Sequence, residues 1–280
     1  MCTAVMSLQT HWEIIDVLTE LYVLLDTLAA VPPNLLRLPP ADTGTHPPDV
    51  FNAEVASAAG FSSEAVKVLS ALPYLVGSFQ IAPSTATMDY CDQDADEGVF
   101  EVSREMMYDG NLAPPSAIQL TASEGGYGCI YIYDTENGNM YPWTPMDDGP
   151  SADDEDGDID YFHIQPQSPR EALQPLIDKF RGLHYIIVLL DRDTNHQLFE
   201  ETLNVGVTEN FTEDELRRWV GTEYYRYWHI SRELKDIYVD CGWEVEYVEQ
   251  PRFRREEFLE RRRRYLSSAE RLATGQSEGG

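Results

Sequence analysis

Three things are scarce in this chain: positive charge, paired cysteine, and apolar runs free of carboxylates. Its 280 residues include 20 Lys and Arg against 49 Asp and Glu, a formal charge of −29 at pH 7. A polyanion of that size is repelled by phosphate backbones and anionic lipid, which argues against nucleic acid and membrane surfaces as partners. Cys2, Cys91, Cys129 and Cys241 form no CxxC pair, so neither a zinc knuckle nor a redox dithiol is signalled. Cys129 reads as a small buried hydrophobe. The most apolar stretch, Trp12 to Leu28, carries Asp16, Glu20 and Asp26, too many carboxylates for a bilayer span. No basic region followed by an uninterrupted apolar run marks a secretory leader. Catalytic and metal motifs are missing as well. The histidines (His11, His46, His163, His184, His196, His229) show no HxH, HxxxH or HExxH spacing, and neither GxSxG nor a P-loop occurs. EF-hand registers on Gly98 and Gly157 both fail at the first and twelfth positions. The expectation is a chain with no cofactor, no metal site and no catalytic residue.

Aromatic residues are abundant, with 16 Tyr and 5 Trp, and 42% of the chain is hydrophobic, enough for a sizeable core. Trp12, Ile15, Leu18, Tyr22, Leu25 and Leu28 recur at helical spacing, and Pro32-Pro33 ends that helix. A proline-rich connector with polyproline character fills residues 32–50. Ser62 caps a helix over 64–72, closed by Pro73. Short strands are predicted at 99–103, 117–121, 127–134, 139–143 and 159–164. In the third of these, Tyr131 and Tyr133 point one way and Ile130 and Ile132 the other. Asn137-Gly138 predicts a type I′ turn, and Pro142 means that the second strand either ends there or lies at an edge. Two carboxylate-rich runs, 89–98 and 147–160, read as exposed loops.

Ser168-Pro169-Arg170-Glu171 has N-cap, N1 and N3 chemistry and opens a helix burying Leu173, Leu176, Ile177 and Phe180. Gly182 suits its left-handed C-terminus. Residues 184–190 are an apolar run open to either a strand or a buried helix, with β-branching and length on the side of the strand. Thr212 with Glu215 opens a long helix that Gly242 closes, and a last helix runs from about Arg254 to Leu272. That last helix is the one basic element. Arg252, Arg254, Arg255, Arg261 to Arg264 and Arg271 outnumber Glu256, Glu257, Glu260 and Glu270. It suits a solvated helix, a clamp on the acidic body, or a nuclear-import patch.

Gly125-Gly126-Tyr127-Gly128, Asp134-Thr135 and the stretch Gly138 to Trp143, followed by the helix with Phe180, resemble the SUKH superfamily. That superfamily includes fungal cell-wall-assembly regulators and bacterial toxin-immunity proteins. The resemblance spans residues 60–181. "ALPYL" at 71–75 and "CGWEVEYVEQPRFRREEFL" at 241–259 are similar to fungal proteins with such domains. The resemblance implies a non-enzymatic protein-binding module and brings no catalytic residue with it.

The expected fold is α+β, an antiparallel β-meander packed by helices with a helical C-terminal extension. Its parts are an N-terminal helix and connector (1–50), a core (51–183), the extension (184–272) and a disordered tail (273–280). The expected function is protein–protein recognition in the cytoplasm. A basic partner would meet an aromatic and acidic surface, with Tyr131, Tyr133, Tyr141 and Trp143 as contact residues. Two alternatives stay open: a hydrolase using carboxylates such as Asp134 and Glu136, and an acidic nuclear protein using the Arg-rich helix.

Overall fold

The computed structural model describes residues 8–91, 98–105, 112–146, 164–189, 196–200, 223–244 and 252–273. The expected strand at 159–163, residues 92–97 and 147–160 of the acidic runs, the Thr212–Glu215 box, His163 and the tail lie outside them. The fold is α+β, and every strand pairing is antiparallel. The chain divides into two compact units, Met1–Asp26 with Val31–Asp178, and Thr27–Ala30 with Lys179–Gly280.

The first unit begins with α1 (Trp12–Thr27), which buries Ile14, Val17, Leu18, Leu21, Tyr22, Leu24 and Leu25. Trp12, expected on that stripe, is 64% exposed; the buried arc starts at Ile14. The connector makes a two-residue strand, β1 (Leu36–Arg37), paired with β2 (Tyr74–Leu75), so it is not polyproline throughout. Two helices follow: α2 (Ala53–Ala58), capped by Asn52, and α3 (Ser63–Ala71), capped by the Ser62 hydroxyl as its sequence predicts. Residues 99–103, expected as a strand, form instead the short helix α4 (Gly98–Val102). One turn of helix places Phe100 in an aromatic cluster with Phe51, Phe61 and Tyr90, and lets the Ser103 hydroxyl donate to the Phe100 carbonyl. Burying that ring outweighs the β propensity of the flanking valines.

Two three-stranded sheets form the centre of this unit. One orders β3 (Gln80–Ala82), β4 (Thr85–Thr87) and β6 (Thr121–Ser123); the other orders β5 (Ala117–Gln119), β7 (Ile130–Asp134) and β8 (Asn139–Trp143). Strands β5 and β6 are consecutive and bend at Leu120, so one stretch of chain serves both sheets. Side chains complete the ladder at the bend. The Thr121 hydroxyl donates to the Cys129 carbonyl (2.9 Å) and accepts from the Tyr131 amide (2.9 Å). The Thr85 hydroxyl accepts from the Cys129 amide (2.8 Å). Gly128 crosses here because nothing larger fits: a Cβ on it would lie 1.8 Å from the Ser84 carbonyl oxygen.

The β7–β8 connection is a four-residue loop, with Asp134 paired to Asn139. Positive φ occurs at Gly138 (72°) but not at Asn137, so the turn is not type I′. Strand β8 is an edge, as Pro142 requires, and Met140 exchanges two backbone bonds with Gln167. Helix α5 (Pro169–Arg181) opens with the expected capping box: Ser168 Oγ accepts from the Glu171 amide, and Glu171 accepts from the Ser168 amide. Arg170 then bonds Asp16 (2.8 Å) and Glu20, and its amide reaches Glu13. Three carboxylates along α1 thus face one arginine.

In the second unit, α5 ends in a Schellman motif: the His184 amide bonds the Lys179 carbonyl and the Leu183 amide the Phe180 carbonyl. The left-handed residue is Leu183 (φ 55°), not Gly182. Leu183 is fully buried, and that burial holds the conformation against its steric cost. A hairpin follows, β9 (Tyr185–Leu189) with β10 (His196–Glu200), so the C-terminal stretch is not wholly helical. Helix α6 (Glu223–Asp240) ends in a second Schellman motif, here with the expected glycine, Gly242 (φ 91°). Helix α7 (Arg255–Ala273) packs Phe258 on Tyr238, ring centroids 3.9 Å apart. The Tyr238 hydroxyl donates to the Leu28 carbonyl (2.6 Å), and Arg262 to that of Ala29 (2.7 Å).

The α7 arginines are largely engaged inside this unit. Arg261 pairs with Asp240, Arg254 with Glu257, and Arg264 with Glu260. Arg262 is buried, and burial holds its guanidinium below the usual arginine range.

Two stability predictions follow from these contacts. Thr121→Val keeps the shape but removes one hydrogen bond from the buried Tyr131 amide and one from the part-buried Cys129 carbonyl, a loss of about 1–3 kcal/mol by urea unfolding, with Thr121→Ser close to wild type. Arg262→Ala removes a buried hydrogen bond and destabilises by about 1–3 kcal/mol, whereas the exposed neighbour Arg263→Ala stays within about 0.5 kcal/mol.

Candidate functional site

Strand alternation sorts the four expected contact residues onto opposite faces of the β5-β7-β8 sheet. Ile132 lies opposite Gln119 and Tyr141, and Ile130 opposite Trp143, so these five share one face. Tyr131 and Tyr133 share the other with Ile118 and Met140. The structure therefore does not assemble the four into one surface. It also buries all of them: Tyr131 is 8% exposed, Tyr133 1%, Tyr141 5% and Trp143 3%. Rings expected to meet a partner are packed within the protein. Tyr127, just before β7, is the exposed one.

On the tyrosine face, Tyr133 OH lies 2.7 Å from His11 Nδ1, and His11 Nε2 lies 3.4 Å from a Glu64 oxygen. This chain links the start of α1 to β7 and α3. Burial pushes the His11 imidazole below its ordinary value, while Glu64 pulls it upward. Burial also pushes the Tyr133 phenol well up. Both groups are neutral at pH 7 and hold the packing together.

The opposite face is concave. Ala113, Ala117, Ile130, Ile132, Tyr141 and Trp143 form one buried cluster. Beside it opens a cavity of about 180 Å³. Its floor is Ile130, Ile132 and Trp143; Ala117 and Gln119 of β5 and Ala122 and Ser123 of β6 form one wall. Val102, Ser103, Glu105 and Ala113 form the other. The concavity exists because β5 and β6 diverge at their bend. Small side chains on both sides of that bend, facing an indole and two isoleucines, leave the space unfilled. Those alanines and serines are the signal for the hollow that the sequence carries.

Arg104 fixes the second wall from behind. Its guanidinium donates to the carbonyls of Gly60 and Ala113 and lies 5.3 Å from the centre of the Phe61 ring. Among the described residues of the lining, Glu105 is the only ionisable one. A glycosidase-type reaction needs two facing carboxylates, and this cavity's described lining supplies one. Asp134 is buried at the hairpin turn, its oxygens accepting from the Glu136 amide (2.9 Å) and the Asn137 side chain (2.7 Å). It ties the turn together and is not among the residues that line the cavity; Glu136 is exposed.

Asp89, expected in an exposed loop, is likewise buried and accepts from the amides of Gly77 and Cys91. Burial pushes the Cys91 thiol up to about 12, which removes its nucleophilicity at neutral pH. Among the described residues, no three His, Cys, Asp or Glu side chains cluster as metal ligands, and no helix is long and apolar enough to cross a membrane. No protein-family model matches the chain, and no curated protein or solved structure shows significant similarity to it.

A pH dependence follows from His11. Its folded pKa lies below the unfolded value of 6.5, so the unfolded chain takes up the proton first. The His11 contribution is complete above pH 6.5 and declines as pH falls through that value toward the folded pKa. The stability gap between wild type and His11→Gln, read from urea midpoints, therefore narrows from about pH 7.5 to about pH 5.5.

Proposed function

We propose that the chain is a non-enzymatic, intracellular protein-interaction module of SUKH-like type, and that the cavity beside Trp143 is its recognition site. The observation that carries this reading is an apolar hollow left open on a sheet face that is otherwise packed. Solvated apolar surface is costly to maintain, and a cavity lined by Ile130, Ile132 and Trp143 gains most by closing over another apolar group. The antiparallel β5-β7-β8 arrangement, entered through Gly125 to Gly128 and turned at Asp134-Thr135, agrees with the resemblance over residues 60–181. Engagement of Arg261, Arg262 and Arg264 within their own unit favours a cytoplasmic over a nuclear role for the Arg-rich helix.

Val102 provides the test, because it lines the cavity yet is 60% exposed, so its replacement leaves the core intact. Affinity purification with wild type and with Val102→Arg is compared by quantitative mass spectrometry, after equal thermal unfolding confirms both are folded. Proteins enriched on wild type are expected to fall about tenfold or more on the variant, the loss of one buried anchor. Identical recovery on both proteins overturns the assignment of the site.

A further inference from the structure

We infer that the cavity receives a single large apolar side chain, of leucine or phenylalanine size, from a partner segment that carries lysine or arginine on both sides of it. This rests on the reading of the cavity as a protein-recognition site and specifies what it recognises.

Size sets the first limit. Pockets that enclose whole small molecules run to roughly 300–1,000 Å³. The cavity here is about 180 Å³. An apolar void of about 150 Å³ is known to admit benzene, so one ring or one branched aliphatic group fills this hollow and a sugar chain or nucleotide does not. The lining sets the second. Ile130 and Ile132 at the floor carry no hydrogen-bonding side-chain group and Trp143 only its indole N–H, while the other polar groups, Ser103, Gln119 and Ser123, sit on the walls.

Charge sets the third. The elements that frame the cavity carry Glu101, Glu105 and Glu124, all exposed. The one base among the lining stretches, Arg104, is buried and turned inward onto the Gly60 and Ala113 carbonyls. The mouth is therefore anionic in a chain of charge −29. A basic segment is drawn to it, and an acidic segment or a nucleic acid is repelled. Val102 (60% exposed) and Leu112 (62% exposed) add apolar surface near the opening, where the stems of lysine or arginine can lie.

The test uses the full chain with labelled isoleucine methyl groups, since Ile130 and Ile132 report from the cavity floor. Four probes are titrated: toluene; a blocked pentapeptide with phenylalanine between two pairs of arginines; the same peptide with alanine at its centre; and the phenylalanine peptide with glutamate flanks. The arginine-flanked phenylalanine peptide is expected to shift both methyl signals. Its affinity is expected to exceed that of the alanine-centred and glutamate-flanked peptides by about tenfold or more. Ala122→Leu, which fills the cavity from its wall, is expected to abolish the shifts. Equal binding of the alanine-centred peptide overturns the anchor, and equal binding of the glutamate-flanked peptide overturns the basic flank. A response to toluene without a response to any peptide overturns this inference while leaving a ligandable cavity. Silence toward all four overturns the recognition site as well.

Discussion

The hydroxyl of Thr121 ties the bend between β5 and β6 to β7. It donates to the part-buried Cys129 carbonyl and accepts from the buried Tyr131 amide. Losing hydrogen bonds of that kind is costly enough to weaken a bend. Thr121 satisfies both, and Thr85 performs the matching service for the Cys129 amide. The bend therefore survives, two small sheets meet along one stretch of chain, and the cavity lies between the diverging walls. The glycine-rich approach to β7 belongs to the same arrangement: Gly128 passes the Ser84 carbonyl too closely for any side chain. That approach is a close crossing of two backbones.

The legible parts of this sequence were those with local causes. The Ser62 cap, the Ser168 box, the Gly242 terminus and the alternation of β7 each follow from interactions within a few residues. The illegible parts were decided at long range. Residues 99–103 look like a strand, yet the Phe51, Phe61 and Tyr90 rings draw Phe100 into a helical turn. Gly182 looks like the left-handed residue, yet the apolar side chain of Leu183 is worth more buried, so Leu183 takes the unfavourable dihedral. Asp89 looks solvated, yet two amides fold over it. The candidate site followed the same division. Which residues share a face was readable from strand period; whether a face is filled or hollow depends on what comes across from β6 and α4.

Acidity has a different meaning in each unit. In the first, Arg170 gathers Glu13, Asp16 and Glu20, whereas among the described residues of the stretches that line the cavity the one base, Arg104, is turned inward onto carbonyls. In the second, arginines meet acids and carbonyls within the unit, as Arg261 does with Asp240 and Arg262 with Ala29. Exposed ion pairs of this sort contribute little singly, about 0.2–1 kcal/mol. Their larger effect is to leave one region of uncompensated negative potential where it can steer an encounter.

The sharing of one bent strand stretch by two sheets has a mechanical consequence. Ala117 and Gln119 lie on one arm of the bend, Ala122 and Ser123 on the other, with the Thr121 hinge between them. A guest wedged between those arms and a breathing motion that spreads them act on the same joint. A guest of the kind inferred above would brace that joint, and protection of the Tyr131 amide against solvent deuterium would then gauge whether the hollow is full.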